Sequence, residues 1–341
     1  MARFLLSRRK VLEQYSIVKG CTDYVSYSFK TNPEVGQVLE SSTDCFFSIS
    51  ARAHLERIAD KGRVIFFAQG WSESEISELL DAGVKRFTVD NIQDLETLKR
   101  FMKGKNVKVW LFLRMKLKEN TIHTGKYFVF GMGAEEIKSA IRDLADACWI
   151  ERLGLHFHRK TQNTSEWSLK EEIVESLGEE VLGRISIVNM GGGLPSIYKN
   201  SRPEIESIMK RISEFAKWLR SRGIQLIIEP GRFIAAPAVK LEAEVKSVYE
   251  GNIIVDCSVY NCAMDTFIMN TRLLVEGELE EGLGRRYLIK GCTPDSIDIF
   301  RYNVWLREVK PGDKIVFINA GAYNFYSDFD GLEKIKTEVV D

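Results

Sequence analysis

What most constrains this chain is an alternation of short apolar runs and amphipathic stretches that continues for roughly 200 residues. Tyr24–Phe29 reads as a first strand running into Lys30. Cys45–Ser50, Arg63–Ala68, Arg86–Asp90 and Val107–Arg114 follow as strands, then Arg152–Phe157, Arg184–Asn189 and Gln225–Glu229. Between them lie stretches with apolar residues at i, i+3 and i+4, such as Ser72–Ala82, Ile92–Phe101 and Ile205–Arg220, the spacing of a helix with one buried face. Ser72 and Glu75 stand at capping-box spacing, which predicts a helix start there. Eight strands alternating with helices is the pattern of a (β/α)8 barrel. An open doubly wound sheet gives the same count, because eight strands in a ring and eight in a row look alike in sequence.

After Glu229 the pattern changes. Val239–Val248, Asn252–Asp256, Arg272–Glu276, Tyr287–Lys290 and Lys314–Ile318 read as short strands with little helix between them, and Pro311-Gly312-Asp313 is a turn before the last. The expected division is an α/β barrel over residues 1–235 and a β-rich domain over 236–341. No repeat or low-complexity segment interrupts either part.

Charge narrows the partner. Lys and Arg number 48, Asp and Glu 48, and no basic block stands out, so nucleic acid is a poor candidate and a small polar metabolite a better one. No run approaches the ~20 apolar residues of a membrane span, and Phe4-Leu5-Leu6 is too short for a signal-peptide core. A cytoplasmic protein is expected. The six cysteines are scattered without a CxxC pair, so reduced thiols are expected and a metal site is not.

In a barrel the working residues sit where strands end. Lys30 ends the first strand, His158 follows the sixth, Gly191-Gly192-Gly193 follows the seventh, and Glu229 and Arg232 follow the eighth. Consecutive glycines let backbone N–H groups converge on an anion. An amine, a phosphate cradle, a carboxylate and an imidazole together point to pyridoxal phosphate: the amine makes a Schiff base, the carboxylate keeps the pyridine nitrogen protonated, and the imidazole stacks on the ring.

On these residues the chain resembles the fold-type III pyridoxal-phosphate decarboxylases, which act on ornithine, lysine, arginine, diaminopimelate or carboxynorspermidine. The motif YSFKTN (Tyr27–Asn32) is similar to the family's YAxKxN and implies that Lys30 is the Schiff-base lysine. GLHFHRKT (Gly154–Thr161) is similar to its GxxxHxGS, with His158 in the ring-stacking position and Thr161 in that of a phosphate-binding serine. Asn189–Pro195 resembles its glycine-rich phosphate loop. IEPGR (Ile228–Arg232) matches its EPGR, so Glu229 is expected at the pyridine nitrogen, with Gly231 and Arg232 at the phosphate. Arg114 matches an arginine that supports Glu229 or the ring, and Tyr323 in Gly321-Ala322-Tyr323 a tyrosine that reaches the phosphate. The resemblance also implies a homodimer whose active sites are completed by both chains. Family members begin with a strand or two before the barrel; this chain starts almost at it, so a trimmed β-domain is expected.

One motif departs from the family. The specificity segment reads Gly291-Cys292-Thr293-Pro294-Asp295-Ser296-Ile297-Asp298, which sets Pro294 where the family has the cysteine that reprotonates the substrate carbon. Proline has no side-chain acid and no backbone N–H. The alternatives are that Cys292 serves from a shifted loop, that water or another group does, that the proton goes to the cofactor and an aldehyde is released, or that the chain is a non-catalytic regulatory homologue. Asp295 and Asp265 are the candidate partners of a substrate ammonium, with Asp298 beside them. The leading expectation is decarboxylation of a basic amino acid, with diaminopimelate or carboxynorspermidine as alternative substrates. An alanine-racemase-like activity is disfavoured by Glu229, since racemases place arginine at the ring nitrogen.

Overall fold

The computed structural model describes residues 1–116, 130–160, 162–164 and 167–341. Eight parallel strands close on themselves: β2 (Tyr24–Ser28), β3 (Phe46–Ile49), β4 (Val64–Phe67), β5 (Arg86–Val89), β6 (Val109–Arg114), β7 (Ile150–His156), β8 (Ile187–Asn189) and β9 (Gln225–Ile228). Closure is made by β2 against β9, with Tyr24 opposite Ile227 and Val25 opposite Ile228. The ring resolves the alternative left open by strand counting. Its interior is plugged by Ile65, Phe112, Ile187 and Ile227, all fully buried, with Tyr24, Phe46 and Trp110 packed against them near the strand starts. The plug fills the lower barrel, and the opening lies at the strand ends.

Local chemistry sets the element ends. Ser72 accepts from the Glu75 N–H while the Glu75 carboxylate accepts from the Ser72 N–H at 2.8 Å, a complete capping box. Asn32 caps the helix Pro33–Ser42 by accepting from Glu34 and Val35, with Pro33 in the first turn, where its missing N–H costs nothing. The residues before it, Phe29–Thr31, form a 3₁₀ turn, so Lys30 sits just past the strand rather than on it.

The second sheet departs from expectation at its edges. It runs in the order β12 (Leu274–Val275), β15 (Lys314–Ile318), β10 (Val239–Tyr249), β11 (Asn252–Val255), β13 (Arg285–Lys290), β14 (Ile299–Leu306). A strand before the barrel, β1 (Arg3–Ser7), pairs antiparallel with β10 and parallel with β16 (Lys336–Val340). Residues 3–7, expected in the barrel part, therefore stand in the second sheet. The alternation of Phe4 and Leu6, both buried, with half-exposed neighbours is what half-buried strand geometry requires, but five residues beside a charged helix carry that signal faintly.

The two parts are stitched at the barrel mouth. Asn32 donates to the Gly321 carbonyl at 2.9 Å, and the Tyr323 N–H donates to the Thr31 carbonyl at 2.9 Å. Gly321 has to be glycine, since a Cβ there would stand 1.9 Å from the Ala235 carbonyl oxygen. No helix among the described residues is long and apolar enough to cross a membrane.

Candidate active site

The strand ends surround a cavity of about 380 Å³, lined by Lys30, Arg114, His158, Gly192, Glu229 and Tyr323 together with Ser28, Ser48, Phe67, Thr88, Asp90 and His156. Six of the residues singled out in the sequence therefore meet in one place, from five strand ends and the second domain.

Glu229 is the most constrained of them. Its carboxylate is buried, and its Oε1 accepts from the Ser48 hydroxyl at 2.6 Å and the Asn189 amide at 2.7 Å. Its Oε2 faces His156 Nε2 at 3.3 Å. Burial alone pushes this carboxyl up, but His156, Ser48 and Asn189 outweigh it and hold the group below the usual carboxylate range. A carboxylate offers about four lone-pair positions, and these donors take three. What remains suits an N–H donor arriving from the cavity, such as a pyridinium.

His158 closes the opposite side. It is surrounded by protein but open toward the cavity, and its Nδ1 accepts from the Gly192 N–H at 3.1 Å. Burial, helped by the neighbouring His156, pushes its pKa down to about 3. The ring is thus neutral near pH 7, with the remaining proton on Nε2, and can present an uncharged π-face.

The glycine run behaves differently from the expected cradle. Gly191 donates to the Asn189 side chain at 2.9 Å and Gly192 to His158, so two of the three N–H groups are spent inside the protein. Close approach explains the glycines instead. A Cβ on Gly191 would lie 2.3 Å from the Phe157 carbonyl oxygen, and one on Gly192 would lie 2.8 Å from that of Glu229. Gly191 also sits at φ 64°, where a side chain is strained.

Arg114 pairs with Asp90 at 3.0 Å, with its guanidinium over the Phe130 ring. It supports the cavity wall and not Glu229. Arg232 is buried behind the cavity, in a two-pronged pair with Asp265 and at 2.8 Å from the Tyr198 hydroxyl. Tyr323 covers it, with the guanidinium 5.0 Å from the ring centre. That pairing corrects the expectation for Asp265: its carboxylate is consumed by Arg232 and by Thr271 at 3.2 Å, and does not face the cavity. Gly231 leaves room for Thr31, whose hydroxyl would meet a Cβ there at 2.2 Å. Thr161 lies outside the described residues.

The specificity segment stays away from its own chain's cavity. Asp298 is buried and accepts from the Val259 N–H at 2.8 Å, the Thr293 N–H at 3.1 Å and the Thr293 hydroxyl at 2.7 Å. It latches the loop and is not a substrate ligand in this chain. Asp295 accepts from the Tyr260 hydroxyl at 3.0 Å and is half-exposed, while Cys292 is exposed. Partial desolvation of its sulfur and the Asp298 charge push the Cys292 thiol up.

Sequence reasoning missed His156, Ser48 and Asn189, the three donors to Glu229, and also Asp90. His156 was within reach of it. It stands two residues before His158 on a strand, and period-2 alternation sends both side chains to the same side.

Residues 10–236 match the family described as pyridoxal-dependent decarboxylase, pyridoxal binding domain. The chain belongs to that family. Its cofactor is pyridoxal 5'-phosphate, and its class of reaction is amino-acid decarboxylation, a carbon–carbon bond cleavage. The residues fit the group: one anionic carboxylate with a free position, one neutral imidazole face and one amine share the cavity. Among curated relatives, the diaminopimelate decarboxylase of Pseudomonas aeruginosa is 25% identical, with 94% of this chain and 83% of that protein covered. The diaminopimelate decarboxylase of Helicobacter pylori is 23% identical, with 89% and 80% covered. Among solved structures, the lysine/ornithine decarboxylase of Vibrio vulnificus complexed with cadaverine superposes at TM-score 0.81 with 24% identity, covering 100% of this chain and 95% of that one. Diaminopimelate decarboxylase from Helicobacter pylori complexed with L-lysine superposes at 0.83 with 20% identity, covering 100% and 92%. These likenesses concern the fold of both domains.

Proposed function

We propose that this decarboxylase acts on a basic amino acid of the ornithine, lysine or arginine type, giving the amine and CO2, in a homodimer. The observation that carries the reading is one cavity shared by the Lys30 side chain and a buried Glu229 carboxylate held anionic. When bound, pyridoxal phosphate supplies a sink for the electron pair left on the α-carbon as CO2 departs. Lys30 would hold it covalently, Glu229 would receive the ring N–H, and His158 would press a neutral ring against its face. Gly193, whose N–H is the one of the glycine run not given to Asn189 or His158, and Gly231, Thr161, Arg232 and Tyr323 are the candidates for its phosphate. Cys292 carries a proton at neutral pH because its thiol is pushed up, the state that a proton donor needs; Pro294 has none to give. Cys292 and Asp295 stand on a loop with the exposed Ile297, and Tyr260, which bonds Asp295, stacks on the exposed Phe329 ring, which supports a second copy docking there and presenting this loop to its neighbour's cavity.

A diaminopimelate substrate is the second reading, favoured by what the curated relatives are named. Against it, the arginines that could take a distal carboxylate are engaged elsewhere. Arg301 is buried and bonded to Glu278 and to the Leu273 carbonyl, and the Arg272 guanidinium lies over the Tyr302 ring. The test is incubation of the reconstituted protein with ornithine, lysine, arginine, diaminopimelate and carboxynorspermidine, with CO2 and products measured by mass spectrometry. An amine from a basic amino acid supports the proposal. An aldehyde would redirect it to protonation of the cofactor, and CO2 from diaminopimelate alone would replace it with the second reading. Borohydride trapping followed by peptide mapping checks Lys30 independently.

A further inference from the structure

The wall of the cavity contains an imidazole that the proposed chemistry does not use. His156 is 1% exposed. Its Nε2 lies 3.3 Å from Glu229 Oε2, and its Nδ1 has no partner among the described residues. The ring is held edge-on to Phe67, with centroids 5.0 Å apart and planes at 79°. We infer that His156 is a positioning residue whose neutral Nε2–H fixes the Glu229 carboxylate as a full anion toward the ring nitrogen of the cofactor. The inference rests on the role proposed above for Glu229.

The tautomer follows from the contacts. A carboxylate oxygen can only accept, so the shared proton belongs to Nε2. A second proton on Nδ1 would be a buried donor without an acceptor, on the strand neighbour of the cationic Arg114, and both features oppose it. The ring therefore donates without carrying charge. That distinction matters for the partner. An arginine or lysine at this place would neutralise the carboxylate, leaving little field for a pyridinium, whereas a neutral donor orients it and lowers its basicity while its charge stays available. Ser48 and Asn189 both bind Oε1, so His156 alone, among the described residues, steers the oxygen that has a position left.

The test uses reconstituted enzyme carrying cofactor labelled with ¹⁵N at the pyridine nitrogen, whose NMR shift reports protonation directly. Wild type should give the protonated shift. His156→Leu should move it toward the unprotonated value and lower kcat by about tenfold to a hundredfold with KM little changed, the size seen when a group that orients a ligand is removed. His156→Gln, which keeps a neutral N–H donor, should recover much of both, and His156→Arg should not, although it also donates. A Leu variant with the wild-type shift and kcat would overturn the inference. If that variant does not take up cofactor, His156→Met is read in the same way: loss of the protonated signal supports the inference and its retention overturns it. An unprotonated shift in the wild type would instead sink the role of Glu229, so the two failures are distinguishable.

Discussion

The pair Arg232–Asp265 offers a sharp test of how the cavity is backed. Both side chains are buried, at 2% and 7% exposure, and join through two contacts. Replacing Asp265 by alanine strands a guanidinium that keeps, among the described residues, only Tyr198 as a polar side-chain partner. Breaking a buried pair from one side typically costs about 3–5 kcal/mol, and the surviving bond to Tyr198 puts this case at the low end, about 3. In a chain of 341 residues each kcal/mol moves Tm by roughly 1.4 °C, so Asp265→Ala should melt roughly 4 °C below wild type. Replacing both partners, as Arg232→Met with Asp265→Leu, should recover most of the loss, because two apolar side chains can fill the space without a stranded charge. Calorimetry of the apo proteins measures it. A single Asp265→Ala variant within about 1 °C of wild type, or a double variant no better than the single, would refute the reasoning.

Other outcomes follow from the same geometry. Gly192→Ala places a methyl 2.8 Å from the Glu229 carbonyl oxygen and 3.1 Å from the His158 ring; overpacking of this kind costs about 1–3 kcal/mol and should weaken cofactor uptake, followed by visible absorbance. The low pKa of His158, about 3, against about 6.5 in the unfolded chain, means that the unfolded state binds more protons between those values. Stability should therefore be fully present above pH 6.5 and fall as pH drops toward 3. Urea midpoints measured between pH 6.5 and 5, above most carboxylate titrations, should decline less in His158→Asn than in wild type. Asp298→Ala removes the acceptor of three donors and should speed amide exchange at Val259 and Thr293, while the spectrum of bound cofactor stays unchanged.

The barrel was legible because its signal is long: eight apolar runs and the helices between them repeat one rule, and each repeat reinforces the next. The residues that share the cavity were legible through their place at strand ends and their motif order. Partner choice was not. Asp265 and Asp298 looked like substrate ligands, since a carboxylate in a loop carries no mark of what it faces, and each is claimed by a group brought near only by the fold. Asp298 meets Val259 across 39 positions of sequence, and Asp265 meets Arg232 across 33. The glycine run was legible as a motif, but not the close approach to Phe157 and Glu229 that two of its positions also require.

The pairing of β1 with both β10 and β16 also orders events during synthesis. Every barrel strand lies between Tyr24 and Ile228, so the ring can close while the second domain is still being made. β1 waits longer. Its first neighbour arrives with Val239–Glu242 and its second only with Lys336–Val340. Until then Phe4 and Leu6 are an apolar edge without its sheet neighbours, which gives a chaperone or a stray strand a long opportunity to bind there.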